Sequence, residues 1–361
     1  MGGRAQPETV SRLRVLFRVD ADAKIGAGHL MRCLALAAAL RDKGAETVFL
    51  SNIESAPLRQ MVLAGGHALM DCDRRHPDPR DLQSLERAAG AGPKFDWAVL
   101  DNYAFDPNYQ SAARRMVGKL LVIDDMCQWP RYEADLILNQ NAGAEKLEYL
   151  TPSESNQLLG HEYVLLRPEF LRSCHDKNPK KLPSKEPTRI LITLGGSVPA
   201  TLAALIVDAL CQLKSHRFHA RVLTGGTIGD DASWKRLANL GVRSGNVALE
   251  PLPFVEDTSE PMSWADLAVT AGGSTCWELA YMGVPAFIVV LSADQDAVAA
   301  AMQAADCGLM LGRYPGLKAD DVSERIAGTL SQTGKLDEMS KAGIRFIDGL
   351  GSARVAATLV Q

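Results

Sequence analysis

The sequence predicts an α/β protein of two doubly wound, Rossmann-like domains facing each other across a cleft. Three observations carry that expectation. Short apolar runs alternate with helical patterns along the chain, the signature of parallel strands covered by helices. A polar, proline-bearing stretch, CHDKNPKKLPSKEPT (174–188), interrupts the alternation near the middle, as a linker does. The chain has 361 residues and 47% hydrophobic content, enough for a sizeable core and, at roughly 150 residues per domain, for two of them.

The elements follow in order. VLFRVD (15–20) reads as a buried parallel strand, and LMRCLALAAALRDKG (30–44) as a helix that stops at Gly44. ETVFLS (46–51), HALMD (67–71), DWAVLDNY (96–103), KLLVIDD (119–125) and ADLILNQ (134–140) are the further strands of the first half. A second series runs through RILITLGGS (189–197), HARVLTGG (219–226), NVALEPLP (246–253), ADLAVTAGGST (265–275) and PAFIVVLS (285–292). The expected organisation is a disordered extension over 1–13, an N-terminal domain over 14–176, a linker over 177–188 and a C-terminal domain over 189–361. The helices after Gly316 either complete the second domain or cross back to the first.

Bulk properties exclude several function classes. The net charge is −4, and no basic cluster interleaves with aromatics, so the footprint of a nucleic-acid binder is absent. Seven cysteines (Cys33, Cys72, Cys127, Cys174, Cys211, Cys276, Cys307) are widely spaced without a CxxC pair and read as reduced, mostly buried thiols. No apolar stretch reaches the roughly 18–20 residues of a membrane span. MGGRAQPETVSRLR lacks the apolar core of a secretory signal and the sixth-position Ser or Thr of a myristoylation start. The expectation is a cytoplasmic monomer or weak dimer acting on a small molecule.

The most informative segment is IGAGHLMR (25–32), which puts His29 between a two-glycine turn and the opening of an apolar helix. In open α/β sheets the ligand crevice lies at the carboxyl ends of the strands, where such loops gather. Two more glycine turns follow strands: Gly195, Gly196 and Ser197 in GGS, and Gly272, Gly273, Ser274 and Thr275 in AGGST. Glycines let backbone approach a ligand closely, and amides with hydroxyls hold phosphate oxygens. Any one of these is readily a mere tight turn; three together point to a phosphorylated ligand. GAGHLM matches neither a full dinucleotide fingerprint nor a Walker A sequence.

Other residues have two readings at this stage. Glu278 lies three residues after Thr275, a spacing that suits a carboxylate accepting from a ribose diol and equally a capping box. His29 is level between a base and a phosphate-binding or capping residue. Asp124 and Asp125 end a strand as an acidic pair, suggesting a two-acid glycosidase or Mg²⁺ binding, but strand-end aspartates more often cap the next turn. Asp101 and Asn102 are placed to line the cleft. No two histidines have the spacing of a helical metal site, so neither a metal nor a cofactor is expected.

FRVDADAKIGAGHLMRCLALA, the DNY ending at Tyr103, LLGHEYVLLRPEF (158–170), TLGGS and TAGGSTCWELAYMGVPAFIVV together resemble the UDP-2,4-diacetamido-2,4,6-trideoxy-β-L-altropyranose hydrolases of pseudaminic acid biosynthesis. The resemblance extends from about Val15 to the region of Gly308. It implies a GT-B fold, similar to that of the transferase that adds N-acetylglucosamine to lipid I, and an enzyme that passes the sugar of a UDP-sugar to water. It makes His29 the base, with Asp20 and Arg18 beside it, and Tyr103 a contact to the sugar or its water. Gly26, Gly28, Arg32, Asn102, Asp294 and Gln295 would line the sugar side. Gly195, Gly196, Ser197, Gly272, Gly273, Ser274 and Thr275 would hold the diphosphate, Glu278 the ribose, and Leu252, Phe254 and Val255 the uracil. Val198 and Ala200 replace an Asp and an Asn common in that family, and Asp294 an Asn. A hydrolase of another nucleotide-sugar is therefore an alternative, as are an inverting GT-B glycosyltransferase and a nucleotide-sugar-binding protein without catalysis.

The proposed chemistry suits the residues. A nucleoside diphosphate is already a good leaving group, so hydrolysis needs a positioned water, a base and charge stabilisation. Unperturbed histidine titrates near ~6.5, and a general base contributes roughly 10²- to 10⁴-fold. A nearby carboxylate, expected to be Asp20, would fix its tautomer.

Overall fold

The computed structural model describes residues 12–22, 25–173, 187–195, 200–223, 235, 237–239, 242, 244–252, 255 and 257–361. Two parallel sheets make up its framework. The first has seven strands: β1 (Arg14–Val19), β2 (Glu46–Ser51), β3 (Ala68–Asp71), β4 (Trp97–Asp101), β5 (Lys119–Ile123), β6 (Leu136–Asn139) and β7 (Asn156–Leu159), in the order β3-β2-β1-β4-β5-β6-β7. The second has six, β8 (Thr188–Thr193), β9 (Phe218–Leu223), β10 (Val247–Leu252), β11 (Leu267–Ala271), β12 (Ala286–Val290) and β13 (Gly308–Arg313), in the order β10-β9-β8-β11-β12-β13. The predicted two-sheet α/β class is what the structure shows.

The strand sequences explain themselves by burial. Strands β4, β11 and β12 are buried at every residue, because helices cover both faces of a parallel sheet and leave no solvent side to be polar. Helix α1 (Gly28–Asp42) turns Leu30, Cys33, Leu34, Ala37 and Leu40 onto the first sheet. It ends where Gly44 takes φ +85°, a left-handed conformation that glycine adopts without strain.

In each sheet the strand order reverses once, beside β1 and β4 in the first and beside β8 and β11 in the second. Such switch points open a crevice at the strands' carboxyl ends. His29 follows β1, Tyr103 follows β4, Gly195 follows β8 and the AGGST turn follows β11. All four segments line one cleft.

The chain passes between the two halves twice. Val164, Leu166 and Phe170, the last on the helix Pro168–Ser173, pack into the core of the second sheet. The chain thus reaches the second sheet before the polar stretch where the boundary is expected. The C-terminal helix (Gly351–Val360) returns to the first sheet, burying Val355, Ala356 and Leu359 there, and Trp97 Nε1 donates to Leu359 O at 3.0 Å. Burial of Val355 and Leu359 contributes roughly 1.5–3 kcal/mol each, tying the last residues to the opposite half.

Candidate active site

On the first wall, six side chains form one network. His29, in the first turn of α1, places Nδ1 2.7 Å from Asp101 Oδ1 at the end of β4. Arg32, one turn further along, donates from Nε and Nη2 to Asp101 at 2.7 and 2.6 Å. From Nη1 it donates to both oxygens of Asp125 at 2.8 and 2.9 Å. Tyr103 donates its hydroxyl to Asp125 Oδ2 at 2.8 Å and lies edge-on to the His29 ring, 4.8 Å between centroids. Asn141 Nδ2 completes the set with a bond to Asp125 Oδ1 at 3.0 Å.

The electrostatics decide the histidine's tautomer. Burial favours the neutral form of Asp101, but the Arg32 guanidinium and His29 outweigh it and hold the carboxyl below the ordinary range. Asp125 is likewise kept low by Arg32 against the effect of its burial. Asp101 is therefore an ionised, acceptor-only partner. Arg32 Nη2 also lies 3.2 Å from His29 Nδ1, and a guanidinium only donates. The shorter contact, to Asp101, puts the proton on Nδ1 and leaves the lone pair on Nε2. Burial and the neighbouring Asp125 push the Tyr103 hydroxyl up, so it stays protonated.

The second wall is built around the AGGST turn. Gln295 Oε1 accepts from Gly272 N at 3.1 Å and from Leu291 N at 3.0 Å, pinning the turn to the end of β12. The helix Thr275–Tyr281 begins there, with Ser274 as its N-cap residue making no side-chain cap bond. The capping-box reading of Glu278 therefore fails, because the helix starts one residue too early for that pairing. Glu278 instead faces Arg167, whose Nη2 lies 3.7 Å from Oε1. Arg167 also binds Glu169 at 2.5 Å and donates to Thr258 Oγ1 at 3.0 Å. Burial pushes the Glu278 carboxyl up to about 7, with Arg167 opposing and Glu169 adding to the rise.

Between the walls lies a cleft of about 770 Å³, within the usual size of ligand pockets. His29, Tyr103, Arg32, Gly26, Gly28, Gly195, Val255, Gly272, Gly273, Ser274, Thr275, Glu278, Asp294 and Gln295 all line it. Gly196, Ser197 and Phe254 lie outside the described residues.

Several expectations need correction. Asp20 does not reach His29: it binds Arg18 at 2.6 and 2.8 Å and accepts from Asn52 N at 2.8 Å. Arg18 pairs also with Asp81, and neither Arg18 nor Asp20 lines the cleft. Residues two apart on an extended segment share a face, so the buried guanidinium takes Asp20 for itself. Asn102 turns its carbonyl oxygen to Ala104 N at 2.9 Å, and Leu252 packs beside the second core; both lie off the cleft. Of the acidic pair, Asp124 caps its turn through Met126 N and Cys127 N as expected, whereas Asp125 serves the cleft.

Sequence reasoning missed Gln140, Asn141, Arg167 and Thr258 as lining residues. Arg167 sits in the quoted LLRPEF segment, a buried arginine between acidic residues that signals a partner elsewhere. Among the described residues, no three His, Cys, Asp or Glu gather as a metal site requires, and no helix is long and apolar enough to cross a membrane.

Comparison with known proteins agrees with this architecture. The structure aligns with that of MurG from Acinetobacter baumannii at a TM-score of 0.65 and 18% identity, over 96% of this chain and 99% of the other. The chain has the GT-B fold. Residues 190–351 of this GT-B protein match the glycosyltransferase family 28 C-terminal domain. Uncharacterized protein MJ1062 of Methanocaldococcus jannaschii is 22% identical over 77% of the chain, which spans 55% of that relative's length. The UDP-2,4-diacetamido-2,4,6-trideoxy-β-L-altropyranose hydrolase of Campylobacter jejuni is 24% identical over 66% of the chain and 77% of its own length. The resemblance read from the motifs is therefore a distant one.

Proposed function

We propose that this protein hydrolyses a UDP-linked amino sugar at its anomeric carbon, releasing UDP and the free sugar in pseudaminic acid or related surface-glycan biosynthesis. The observation that carries the reading is the His29–Asp101 pair on one wall of the cleft, opposite the AGGST turn on the other. A base held in one tautomer suits attack on a sugar whose diphosphate is gripped across the gap. The distant likeness to the Campylobacter jejuni hydrolase supports the same reaction.

Water bonds through its oxygen to the anomeric carbon while its proton passes to His29 Nε2. The bond from that carbon to the β-phosphate oxygen breaks, and its electron pair leaves with UDP. Attack from the face opposite the diphosphate inverts the anomeric centre. Asp101 stabilises the imidazolium that forms, as the carboxylate of a catalytic triad does. Tyr103 donates a hydrogen bond to Asp125 and so offers its oxygen as an acceptor to the water or a sugar hydroxyl. Gly273, Ser274 and Thr275 meet the diphosphate, and Glu278 the ribose diol.

The match of residues 190–351 to a glycosyltransferase domain favours a second reading, in which the same base deprotonates an acceptor hydroxyl. One experiment separates the two. Purified protein is incubated with UDP-sugars and no acceptor, following UDP release and the free sugar by NMR. Hydrolysis gives UDP and an inverted free sugar. Release only when an acceptor is added gives transfer, and tight binding without release gives a non-catalytic binding protein.

A further inference from the structure

Acidic and basic side chains line the cleft at Arg32, Asp125, Arg167, Glu278 and Asp294. All but the last face an opposite charge: Arg32 pairs with Asp101 and Asp125, and Arg167 with Glu169 and Glu278. Asp294 makes no ion pair and no hydrogen bond among the described residues, although it is half-buried. Its place is nonetheless fixed. It sits in the short turn Ala293–Gln295, which the Gln295 side chain ties to Gly272 N and Leu291 N. From the second wall its charge reaches the Tyr103 hydroxyl on the first, adding to the effects of burial and Asp125 there.

The sugar side thus gathers three carboxylates, Asp101, Asp125 and Asp294, against the single guanidinium of Arg32. Arg32 already gives Nε, Nη1 and Nη2 to the first two. A carboxylate partly withdrawn from water without a partner is disfavoured, and a diphosphate bound at the neighbouring AGGST turn adds more negative charge. A cation that arrives on the ligand offsets both.

We propose that Asp294 selects a sugar bearing a free, protonated amine, whose ammonium pairs with this carboxylate. This rests on the UDP-sugar reading above and narrows its amino sugar to one left unacylated at that nitrogen. An ammonium only donates, and an ionised carboxylate only accepts. Tyr103, with its proton turned to Asp125, presents a second accepting oxygen on the opposite wall. An acetamide at the same nitrogen keeps one uncharged N–H and adds a carbonyl oxygen that the carboxylate repels.

The test uses two pairs of UDP-sugars, each a free amine and its N-acetyl derivative. The nitrogen is at the 2-position in one pair, UDP-glucosamine and UDP-N-acetylglucosamine, and at the 4-position in the other. Binding and UDP release are followed by NMR with a chelator present and again with Mg²⁺. In at least one pair the amine should be favoured by at least about tenfold in kcat/KM, the scale of a hydrogen bond to a charged group. Asp294→Asn should lose that preference, hold or raise its affinity for UDP, and melt no lower than the unmodified protein. Equal use of amine and acetamide overturns the proposal while leaving the UDP-sugar reading intact, as does a preference that survives in Asp294→Asn. A requirement for Mg²⁺ also overturns it, by giving Asp294 to the metal. If no UDP-sugar binds or releases UDP, the UDP-sugar reading falls and this selection with it.

Discussion

His29 Nδ1 meets Asp101 Oδ1 at 2.7 Å across 72 residues of sequence, because β1 and β4 are neighbours with Val19 in register with Asp101. The sheet's switch point thereby sets a carboxylate beneath the first turn of α1. Arg32 then locks the pair from the next turn of the same helix, sharing Asp101 with the histidine.

The Asp101→Asn variant keeps the shape of that side chain and removes its charge. The imidazolium formed during water activation loses its stabilising partner, so UDP release should slow by about 10²- to 10⁴-fold with KM little changed. Arg32 retains Asp125, so the unfolding free energy should fall by no more than about 3 kcal/mol. Initial rates of UDP release and urea denaturation read the two effects separately. An unchanged rate would remove Asp101 from the mechanism.

Asp20 gives the opposite pattern. Its carboxylate, with that of Asp81, neutralises the fully buried Arg18, and breaking a buried pair by removing one charge costs about 3–5 kcal/mol. Asp20→Asn should therefore lower the urea midpoint strongly while the folded fraction keeps its KM and turnover. Lost turnover in protein that is fully folded would instead restore the direct catalytic role read from the sequence.

That contrast shows where the sequence was legible. The buried strands could be read because a strand covered on both faces is a plain apolar run, as in WAVLD of β4 and AFIVV of β12. The place of His29 on the cleft could be read because strand-to-helix loops of an open sheet gather at the strands' carboxyl ends. Its partner could not: Asp20 is near along the chain, whereas Asp101 is near only once β1 and β4 pair. Arg167 was hidden for a related reason, since it meets Glu278 only after the chain has crossed to the second sheet.

Glu278 predicts a pH dependence. Its carboxyl, at about 7 in the fold, lies above the usual value of about 4.3, so the folded state binds the proton more tightly than the unfolded one. The resulting destabilisation is absent below the unfolded value, grows between the two and is complete above 7. Glu278→Gln should therefore raise the melting temperature at pH 8 and leave it nearly unchanged at pH 4. A ribose diol donates best to the ionised form, so UDP affinity should fall from pH 8 to pH 6 more steeply in the unmodified protein than in Glu278→Gln. Calorimetry at both pH values measures this, and parallel pH profiles would exclude Glu278 as the diol's acceptor.

Gln295 offers a separation of scaffold from ligand contact. Its single carbonyl oxygen accepts from both Gly272 N and Leu291 N, and leaving part-buried amides without that acceptor costs up to about 1–3 kcal/mol each. Gln295→Ala should lower the melting temperature and loosen the AGGST turn, weakening UDP binding with it. Gln295→Glu preserves an acceptor oxygen for both amides but adds a negative charge beside the proposed diphosphate site. It should restore most of the stability while leaving UDP affinity reduced, and raised salt should recover part of that affinity by screening the repulsion. Thermal melting and UDP titration at two salt concentrations distinguish these effects. Full recovery of both stability and affinity in Gln295→Glu would mean that the diphosphate does not lie near this side chain.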